Sequence, residues 1–355
     1  MGAFSRSFIC FNDSAFHGCP KANQSVTKTN IVERLNSLGA GLRFAGKAIF
    51  TRYTPLLAQV VVTRRCNLVC GYCNEYDDFS PPVPTADLLA RIEHLAKLGT
   101  ASITFTGGEP LLHPDLDKLI KAARDKGMVV TMITNGFKLS RNWIERLNKA
   151  KLQGMQVSID NLEPDEISMK SLSSVKSRLG LLEEHAKFKV NINSVLGVTG
   201  ERTQDVITIA ETAAKHGFQH SVGVLHDHSG ALKPMSDEQI ATYKKVTEIS
   251  PSFVHTLNYR LFQKNFMHGK PNNWKCRAGA RYLYVTEDGK VHLCSQQRGY
   301  PATPVLQYGL KDIKREYYSK KGCAPTCTLG CVHQMSMFDG FRGAQHDSVD
   351  TPATT

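Results

Sequence analysis

Residues 56–73 read Leu56-Leu57-Ala58-Gln59-Val60-Val61-Val62-Thr63-Arg64-Arg65-Cys66-Asn67-Leu68-Val69-Cys70-Gly71-Tyr72-Cys73. A largely apolar run ends in a polar loop with three cysteines at C-x3-C-x2-C spacing. The run reads as a buried strand, residues 57–63. Three thiolates on one short loop can hold three irons of a cubane and leave the fourth open, whereas iron–sulfur electron carriers close the cluster with four cysteines. An open iron binds and activates a ligand, so this loop points to chemistry at a cluster. The alternative, a structural zinc site, prefers four ligands arranged in C-x2-C pairs.

Outward from this strand the chain alternates strand and helix signals. Thr85 is expected to cap a helix carrying Leu88, Leu89, Ile92, Leu95 and Leu98, with Gly99 at its end. Residues 102–106 form the second expected strand, followed by a helix from Pro114, at its first position, to Lys126. Residues 128–134 form the third, then Ser140 caps a helix with Trp143, Ile144 and Leu147. Strands over 155–159, 189–195 and 219–225 alternate with helices over 171–187, 203–216 and onward from Ser236. Six βα repeats imply a parallel sheet with right-handed crossovers, either an open wound sheet or a partial barrel. In both, ligands gather at the carboxyl ends of the strands, where the three cysteines lie.

Beyond residue 250 the texture changes. Residues 251–275 are weakly periodic, and 281–285 and 291–293 flank Glu287-Asp288-Gly289-Lys290 as a hairpin. Residues 340–355 are small, polar and expected to be disordered. Near the front, Asn30 and Glu33 suggest a helix cap, with Ile31, Leu35, Leu38 and Leu42 on a face that packs onto the main domain.

The 355 residues are 41% apolar and 21% charged, a globular composition with room for one large core plus a smaller lobe. No apolar run reaches eighteen residues, so no transmembrane segment is expected, and residues 1–19 lack the apolar stretch of a secretory signal. Eight of ten cysteines fall into two groups with metal-ligand spacing, which suggests a reducing cytoplasm. Cys10 and Cys19 stand apart and are read as free thiols. The net charge is +12, and residues 1–65 hold nine Lys/Arg against Asp13 and Glu33. Such an arm suits a nucleic acid, an anionic membrane surface or an acidic substrate, or simply a solvated face.

The loop Thr63–Cys73, with aromatic Tyr72 before its last cysteine, resembles the signature of the radical S-adenosylmethionine (SAM) superfamily. Thr106-Gly107-Gly108-Glu109-Pro110 after the second strand is similar to that family's Gly-Gly-Glu motif, and the likeness continues through Thr134-Asn135-Gly136 and Ser158-Ile159-Asp160. The resemblance covers about residues 55–335. It implies a partial (β/α)6 TIM-like barrel in which Cys66, Cys70 and Cys73 hold a [4Fe–4S] cluster whose open iron binds SAM. By the same resemblance Gly107, Gly108 and Glu109 meet the SAM amino group, Ser158, Asp160 and Asn193 contact the ribose, and Lys170 meets the carboxylate. Reductive cleavage would yield a 5′-deoxyadenosyl radical that abstracts hydrogen from a substrate.

Cys276 and Cys294, with Gly289 four residues clear of Cys294, and then Cys323, Cys327 and Cys331 at C-x3-C-x3-C, are similar to the SPASM/twitch extension of these enzymes. That extension carries auxiliary [4Fe–4S] clusters. Five cysteines fall short of the two-cluster pattern, so one auxiliary cluster is expected, held by Cys276, Cys294 and two of the last three; a zinc ribbon is the alternative. His226, Asp227 and His228 follow the sixth strand and are candidates to accept a substrate proton.

The expected domains are an N-terminal extension over 1–54, the barrel over 55–250, the auxiliary lobe over 251–339 and the tail. The expected partners are a small-molecule or peptide substrate and a flavodoxin- or ferredoxin-type electron donor. Peptide-modifying relatives commonly carry an N-terminal peptide-recognition domain, whereas the segment before the first strand is short and shows no three-strand pattern, which counts against a ribosomal-peptide substrate; the auxiliary cysteine spacing departs from that of the molybdenum-cofactor cyclase. Competing classes are a nucleic-acid-binding or tRNA-modifying protein and a non-catalytic iron–sulfur protein.

Overall fold

The computed structural model describes residues 39, 41–73, 75–196, 202–224, 234–250 and 253–342. The described residues from 41 onward form one compact body. Cys10, Cys19, the Asn30/Glu33 cap, most of the basic arm, the tail beyond residue 342 and the His226-Asp227-His228 group lie outside the described residues.

Six strands, β1 (Leu57–Thr63), β2 (Ser102–Gly107), β3 (Val129–Thr134), β4 (Gly154–Ser158), β5 (Lys189–Leu196) and β6 (Gln219–Val224), pair in parallel and in chain order. Between them lie α1 (Thr85–Lys97), α2 (Leu116–Asp125), α3 (Arg141–Lys149), α4 (Leu172–His185) and α5 (Asp205–Lys215); α6 (Asp237–Ile249) follows β6. Alternate strand residues divide the two faces. Ala58, Val60, Val62, Ile103, Phe105, Val130 and Met132 pack with Leu88, Ile92, Leu119, Ile120 and Ile144 of the helices into one buried core. The opposite face carries Gln59, Thr104, Thr131, Gln156, Asn191 and Asn193; Thr104 bonds Thr131 at 2.7 Å and Asn191 bonds Ser221 at 2.8 Å.

The expected hairpin is present as β7 (Tyr282–Val285) and β8 (Lys290–His292), and it is extended by β9 (Pro301–Pro304). The sheet order is β6-β5-β4-β3-β2-β1-β7-β8-β9, so the C-terminal hairpin joins the barrel sheet rather than standing apart. β7 runs parallel to β1, with Leu57 opposite Tyr282 and Gln59 opposite Tyr284. The sheet stays open, a partial barrel, and proline-bearing β9 forms one edge, where missing N–H groups cost least. The remaining helices are α7 (Phe253–Asn258), α8 (Lys264–Met267), α9 (Leu310–Tyr318) and α10 (Gly330–Met337).

Ser140 caps α3 through the Trp143 N–H at 3.2 Å, and Ser236 with Gln239 forms a capping box on α6. Two helix starts differ from expectation. Pro84 occupies the cap position of α1, while the Thr85 hydroxyl donates to Asp115 at 2.8 Å. Asp115 occupies the cap position of α2 without a side-chain cap bond, so Pro114 precedes that helix, and the Pro114 carbonyl accepts from Arg146 at 2.6 Å. Residues 41–50 are helical and sit on the body through buried Ala48 and an edge contact of Phe44 with Phe338, but Leu42 points outward, 53% exposed. Among the described residues no helix is long and apolar enough to cross a membrane.

Candidate functional site

The cysteine loop leaves β1 and folds back on itself. The Cys66 N–H donates to the Asp77 carbonyl at 2.9 Å and the Asp77 N–H to Arg64 at 3.0 Å. Arg64 holds the fold from outside, 3.4 Å from Asp77 and 3.5 Å from Glu287. Cys70 to Cys73 close a tight turn at 3.0 Å, and the Gly71 N–H reaches the Ile167 carbonyl, also 3.0 Å. Cys66, Cys70 and Cys73 form no disulfide; Cys70 is buried and Cys66 and Cys73 are half-buried. Burial pushes the Cys66 and Cys73 thiols up, and the Lys170 ammonium opposes it. Iron would complete the deprotonation, because the thiolate is the ligand.

The two glycines after β2 are required by that loop. A Cβ on Gly107, at φ +140°, would sit 2.1 Å from the Thr63 carbonyl oxygen. One on Gly108 would sit 2.2 Å from that of Arg64. The close backbone approach is therefore to the cysteine loop, where the Gly108 N–H donates to Thr63 and the Glu109 N–H to Arg65, both at 2.9 Å. Glu109 is fully buried, and its carboxylate accepts from the Thr134 hydroxyl (2.7 Å), the Asn135 N–H (2.8 Å) and the Leu111 N–H (3.0 Å). Burial pushes its pKa up and these three donors oppose the rise. Asn135 turns back to the loop, its amide 3.7 Å from Cys66 Sγ and 3.1 Å from Asn67. The Thr-Asn-Gly turn is visible in the sequence, but nothing local marks it as the partner of Glu109.

Tyr72 joins the cysteine loop to the end of β4. Its hydroxyl donates to Asp160 at 2.7 Å and accepts from Lys170 Nζ at 2.6 Å; Ser168 also donates to Asp160, at 2.7 Å. Burial opposes the charge on Lys170, but Tyr72, Asp160 and Cys70 outweigh it and hold the ammonium protonated. The same ammonium acts on Cys66, Cys73 and Glu109. Tyr72, Asp160, Lys170, Glu109 and the three cysteines are thus brought together at the carboxyl ends of β1, β2 and β4. Ser158 and Asn193 face each other in register on β4 and β5, with Asn193 accepting from Ser221 at 2.8 Å. A pocket beside Tyr72 and Asp160 is lined further by Ser168, Val195, Leu196 and Arg202.

In the C-terminal lobe Cys276 and Cys294 are buried on either side of the hairpin. Cys323 and Cys327 bracket a short 3-10 turn, Ala324–Thr326, and Cys331 lies in the first turn of α10. Lys321, fully enclosed and 3.2 Å from Glu316, acts on Cys276 and Cys323. A donor set of thiols beside buried Lys321 and Arg277 suits an anionic iron–sulfur cluster. Among the described residues no three His, Cys, Asp or Glu converge on the position of a single metal ion; the thiolates of a cubane attach at separate irons. The lobe also touches the cysteine loop: the Tyr284 hydroxyl donates to Glu75, and Arg298 lies 3.3 Å from the same carboxylate. Glu75, Tyr282, Tyr284, Arg298 and Lys321 carried no sequence signal of their own.

Residues 60–230 match the model described as the Radical SAM superfamily. The PqqA peptide cyclase of Xanthomonas oryzae pv. oryzae is 25% identical over 254 residues, 68% of this chain and 68% of its own length. The GTP 3′,8-cyclase of Aliarcobacter butzleri is 36% identical over 172 residues, 45% of this chain and 52% of its own. The chain thus spans about half the length of that cyclase. In fold, the chain is similar to Streptococcus suis SuiB bound to precursor peptide SuiA, with TM-score 0.58 and 17% identity, covering 90% of this chain and 80% of that one. It is also similar to anSMEcpe with bound AdoMet, with TM-score 0.54 and 17% identity, covering 74% and 79%. A family model that begins in the strand delivering the three thiols and runs past β6 agrees with the open parallel barrel found here: residues 60–230 are a radical SAM domain, and the chain is an enzyme that works with S-adenosylmethionine and a [4Fe–4S] cluster.

Proposed function

We propose that Cys66, Cys70 and Cys73 hold the SAM-binding cluster, and that the chain uses it to abstract hydrogen from a polar substrate, of which a peptide is the best-supported class. The observation that carries this reading is the convergence of the three thiols with Glu109 and the Lys170–Tyr72–Asp160 chain at one end of the sheet. When bound, the cluster and SAM supply one-electron reductive cleavage and, with it, hydrogen-atom abstraction. The protein's part is positioning. Lys170, kept charged by Tyr72 and Asp160, offers a cation for a ligand carboxylate. Ser158 and Asn193 offer hydrogen-bonding groups one strand further on, suited to a ribose. Glu109 holds the ends of β2 and β3 together and keeps the cysteine loop seated.

The substrate would lie against the concave face, which presents amides and hydroxyls from Gln59, Thr131, Gln156 and Asn191, partners for a peptide backbone. PqqA peptide cyclase and SuiB bound to its precursor peptide are named for peptides, which favours that class over a small molecule. Residues 55–250 would form the catalytic barrel and 251–339 the auxiliary-cluster lobe. A flavodoxin- or ferredoxin-type donor in the cytoplasm would supply the electron.

The test is anaerobic reconstitution, reduction with dithionite and quantification of 5′-deoxyadenosine. The wild type should form it and Cys66→Ala should not. Equal amounts from both, or SAM binding that does not depend on the reconstituted cluster, would overturn the proposal.

A further inference from the structure

We infer that the helix over residues 41–50, together with Phe341, is a docking surface for an anionic phospholipid membrane, on which the chain binds peripherally.

A surface helix ordinarily turns its apolar side to the core and its polar side to water. This helix is clamped to the body along one side. Ala48 is buried and Phe44 meets Phe338 edge-on. Lys47 Nζ donates to the Gly99 carbonyl at 2.6 Å, and the Ala48 carbonyl accepts from Arg281 at 2.8 Å. The other side is apolar as well. Leu42, Ile49 and Phe50, at i, i+7 and i+8, share it and are 53%, 44% and 87% exposed. Phe341, 79% exposed, is brought to the same place by Arg342. The Arg342 guanidinium lies 5.0 Å from the Phe341 ring and donates to the Ile49 and Thr51 carbonyls on either side of Phe50. Apolar residues scattered singly over a surface need no explanation, but a group of this kind marks an interaction site.

Charge selects the partner. Residues 41–53 contain Arg43, Lys47 and Arg52 and no acid. Tyr53 carries the same surface on to α9: its hydroxyl shares a 2.6 Å hydrogen bond with that of Tyr318, and its ring lies 5.4 Å from Lys314 Nζ. On and just after α9, Lys311, Lys314 and Lys320 are exposed, whereas Glu316 is fully enclosed and Asp312 is paired with Arg315 at 3.0 Å. Apolar side chains rimmed by cations and tyrosines fit an anionic bilayer, in which Leu and Phe enter the acyl boundary while Lys and Arg meet the phosphates. A second copy of the chain would set like charges against each other across the contact. A nucleic acid would meet the cations but leave Leu42 and Ile49 in water.

The position of the surface is compatible with catalysis. The helix leads toward the amino end of β1, and its partners Gly99 and Arg281 precede β2 and β7. The docking surface therefore lies at the amino ends of the strands, and the cysteine loop at their carboxyl ends stays uncovered.

The test is flotation of the full chain with vesicles of phosphatidylcholine, with and without phosphatidylglycerol. The chain should float with the anionic vesicles at low salt, stay behind with the neutral ones, and lose binding as salt is raised. Phe50→Ser and Phe341→Ser should each weaken partitioning roughly tenfold. Arg43→Gln and Lys314→Gln should each weaken it roughly fivefold. All four side chains are exposed or at the surface, so thermal unfolding should match the wild type. Absence of binding to anionic vesicles would overturn the proposal. So would binding that Phe50→Ser/Phe341→Ser leaves unchanged, which would put the contact elsewhere on the chain. Two further results would also overturn it by giving the surface another occupant: sedimentation showing that the double variant turns a dimer into a monomer, or an RNA gel shift that the double variant abolishes while vesicle binding persists.

Discussion

Gly108→Ala isolates the mechanical role of the Gly-Gly-Glu segment. The new Cβ would lie 2.2 Å from the Arg64 carbonyl oxygen and 2.5 Å from that of Arg65. Non-bonded heavy atoms settle at about 3.5 Å, so the end of β2 and the cysteine loop must separate by roughly 1 Å. Overpacking of this kind costs about 1–3 kcal/mol. The shift also strains two bonds of 2.9 Å, Gly108 N–H to Thr63 and Glu109 N–H to Arg65. Each is worth about 0.5–1.5 kcal/mol, for a total of roughly 2–6 kcal/mol. A domain stable by about 5–15 kcal/mol survives that loss, but its cysteine loop is displaced. Thermal unfolding of the apo-protein should drop by roughly 2 °C per kcal/mol. Reconstituted protein should lack about one cubane of iron and bind SAM weakly. Gly180→Ala is the control: it lies within α4 with nothing within 4 Å of the added methyl, so it should be neutral or stabilising by up to about 1 kcal/mol. If Gly108→Ala melts with the wild type and carries full iron, the glycine is not serving the loop and the reasoning fails.

Tyr72→Phe removes the hydroxyl between Lys170 and Asp160 and should weaken SAM binding by about 1.5 kcal/mol, roughly tenfold, with iron content unchanged; calorimetry on the holoenzyme would contradict this by returning an equal Kd. Arg281→Met removes the closer of the Asp339 carboxylate's cationic partners, at 2.6 Å with both side chains fully enclosed, leaves Arg342 at 3.2 Å, and should cost up to about 3–5 kcal/mol in urea unfolding. Arg281→Met/Asp339→Leu should recover much of that loss, and no recovery would show that the pair is needed for more than mutual neutralisation. Despite burial, Lys290 and Thr286 hold the Asp288 carboxyl down to about 2, against an ordinary 3.8. A lowered carboxyl stabilises above its unfolded value and loses that contribution as pH falls toward 2. With the side chain 46% exposed, solvent screening limits the term to about 1 kcal/mol or less. The gap between wild type and Asp288→Asn in urea midpoint should therefore narrow as pH falls from about 5 to about 3, and a constant gap would mean the ion pair contributes nothing.

The six barrel strands were legible because each is a short apolar or β-branched run bounded by turn residues, and β1 was read to the residue. Ser140 was legible as a cap because capping is local, and the start of the helix after β6 was placed at Ser236. Thr85 and Pro114 misled for the complementary reason: the Thr85 hydroxyl is taken by Asp115, the residue at the cap position of α2, and a contact thirty residues apart leaves no local pattern. The position of β7 beside β1 was not readable, since it depends on which sheet edge stays open after six strands have paired. At the site, the cysteines were legible from spacing, because a cluster fixes short intervals on one loop. The Tyr72–Asp160 and Tyr72–Lys170 bonds span 88 and 98 residues, so only the family resemblance brought those residues forward, without their connection. Lys321 and Arg277 are fully enclosed in the fold, and nothing in the sequence around them marks them for burial.

The pairing of β7 with β1 bears on how two clusters could serve one reaction. β1 ends in the loop of Cys66, Cys70 and Cys73, and β7 begins six residues after Cys276. A parallel ladder from Leu57–Tyr282 to Val60–Val285 locks the two strands in register. Side chains reinforce it at both levels: Tyr282 bonds Gln59 within β1, and Tyr284 bonds Glu75, two residues beyond Cys73. The lobe is therefore coupled to the cysteine loop by sheet hydrogen bonds and by buried phenols, not by a flexible linker. Sheet pairing of this kind resists displacement far better than a hinge, so the distance between the two thiol groups is a property of the fold. A substrate on the concave face would lie between them, with the hydrogen-abstracting site at one side and an electron acceptor held at constant range on the other. Such an arrangement suits reactions in which a substrate radical must be oxidised before it diffuses or rebounds. It also explains why Glu75, Tyr282 and Tyr284, which belong to neither cysteine group, occupy the seam.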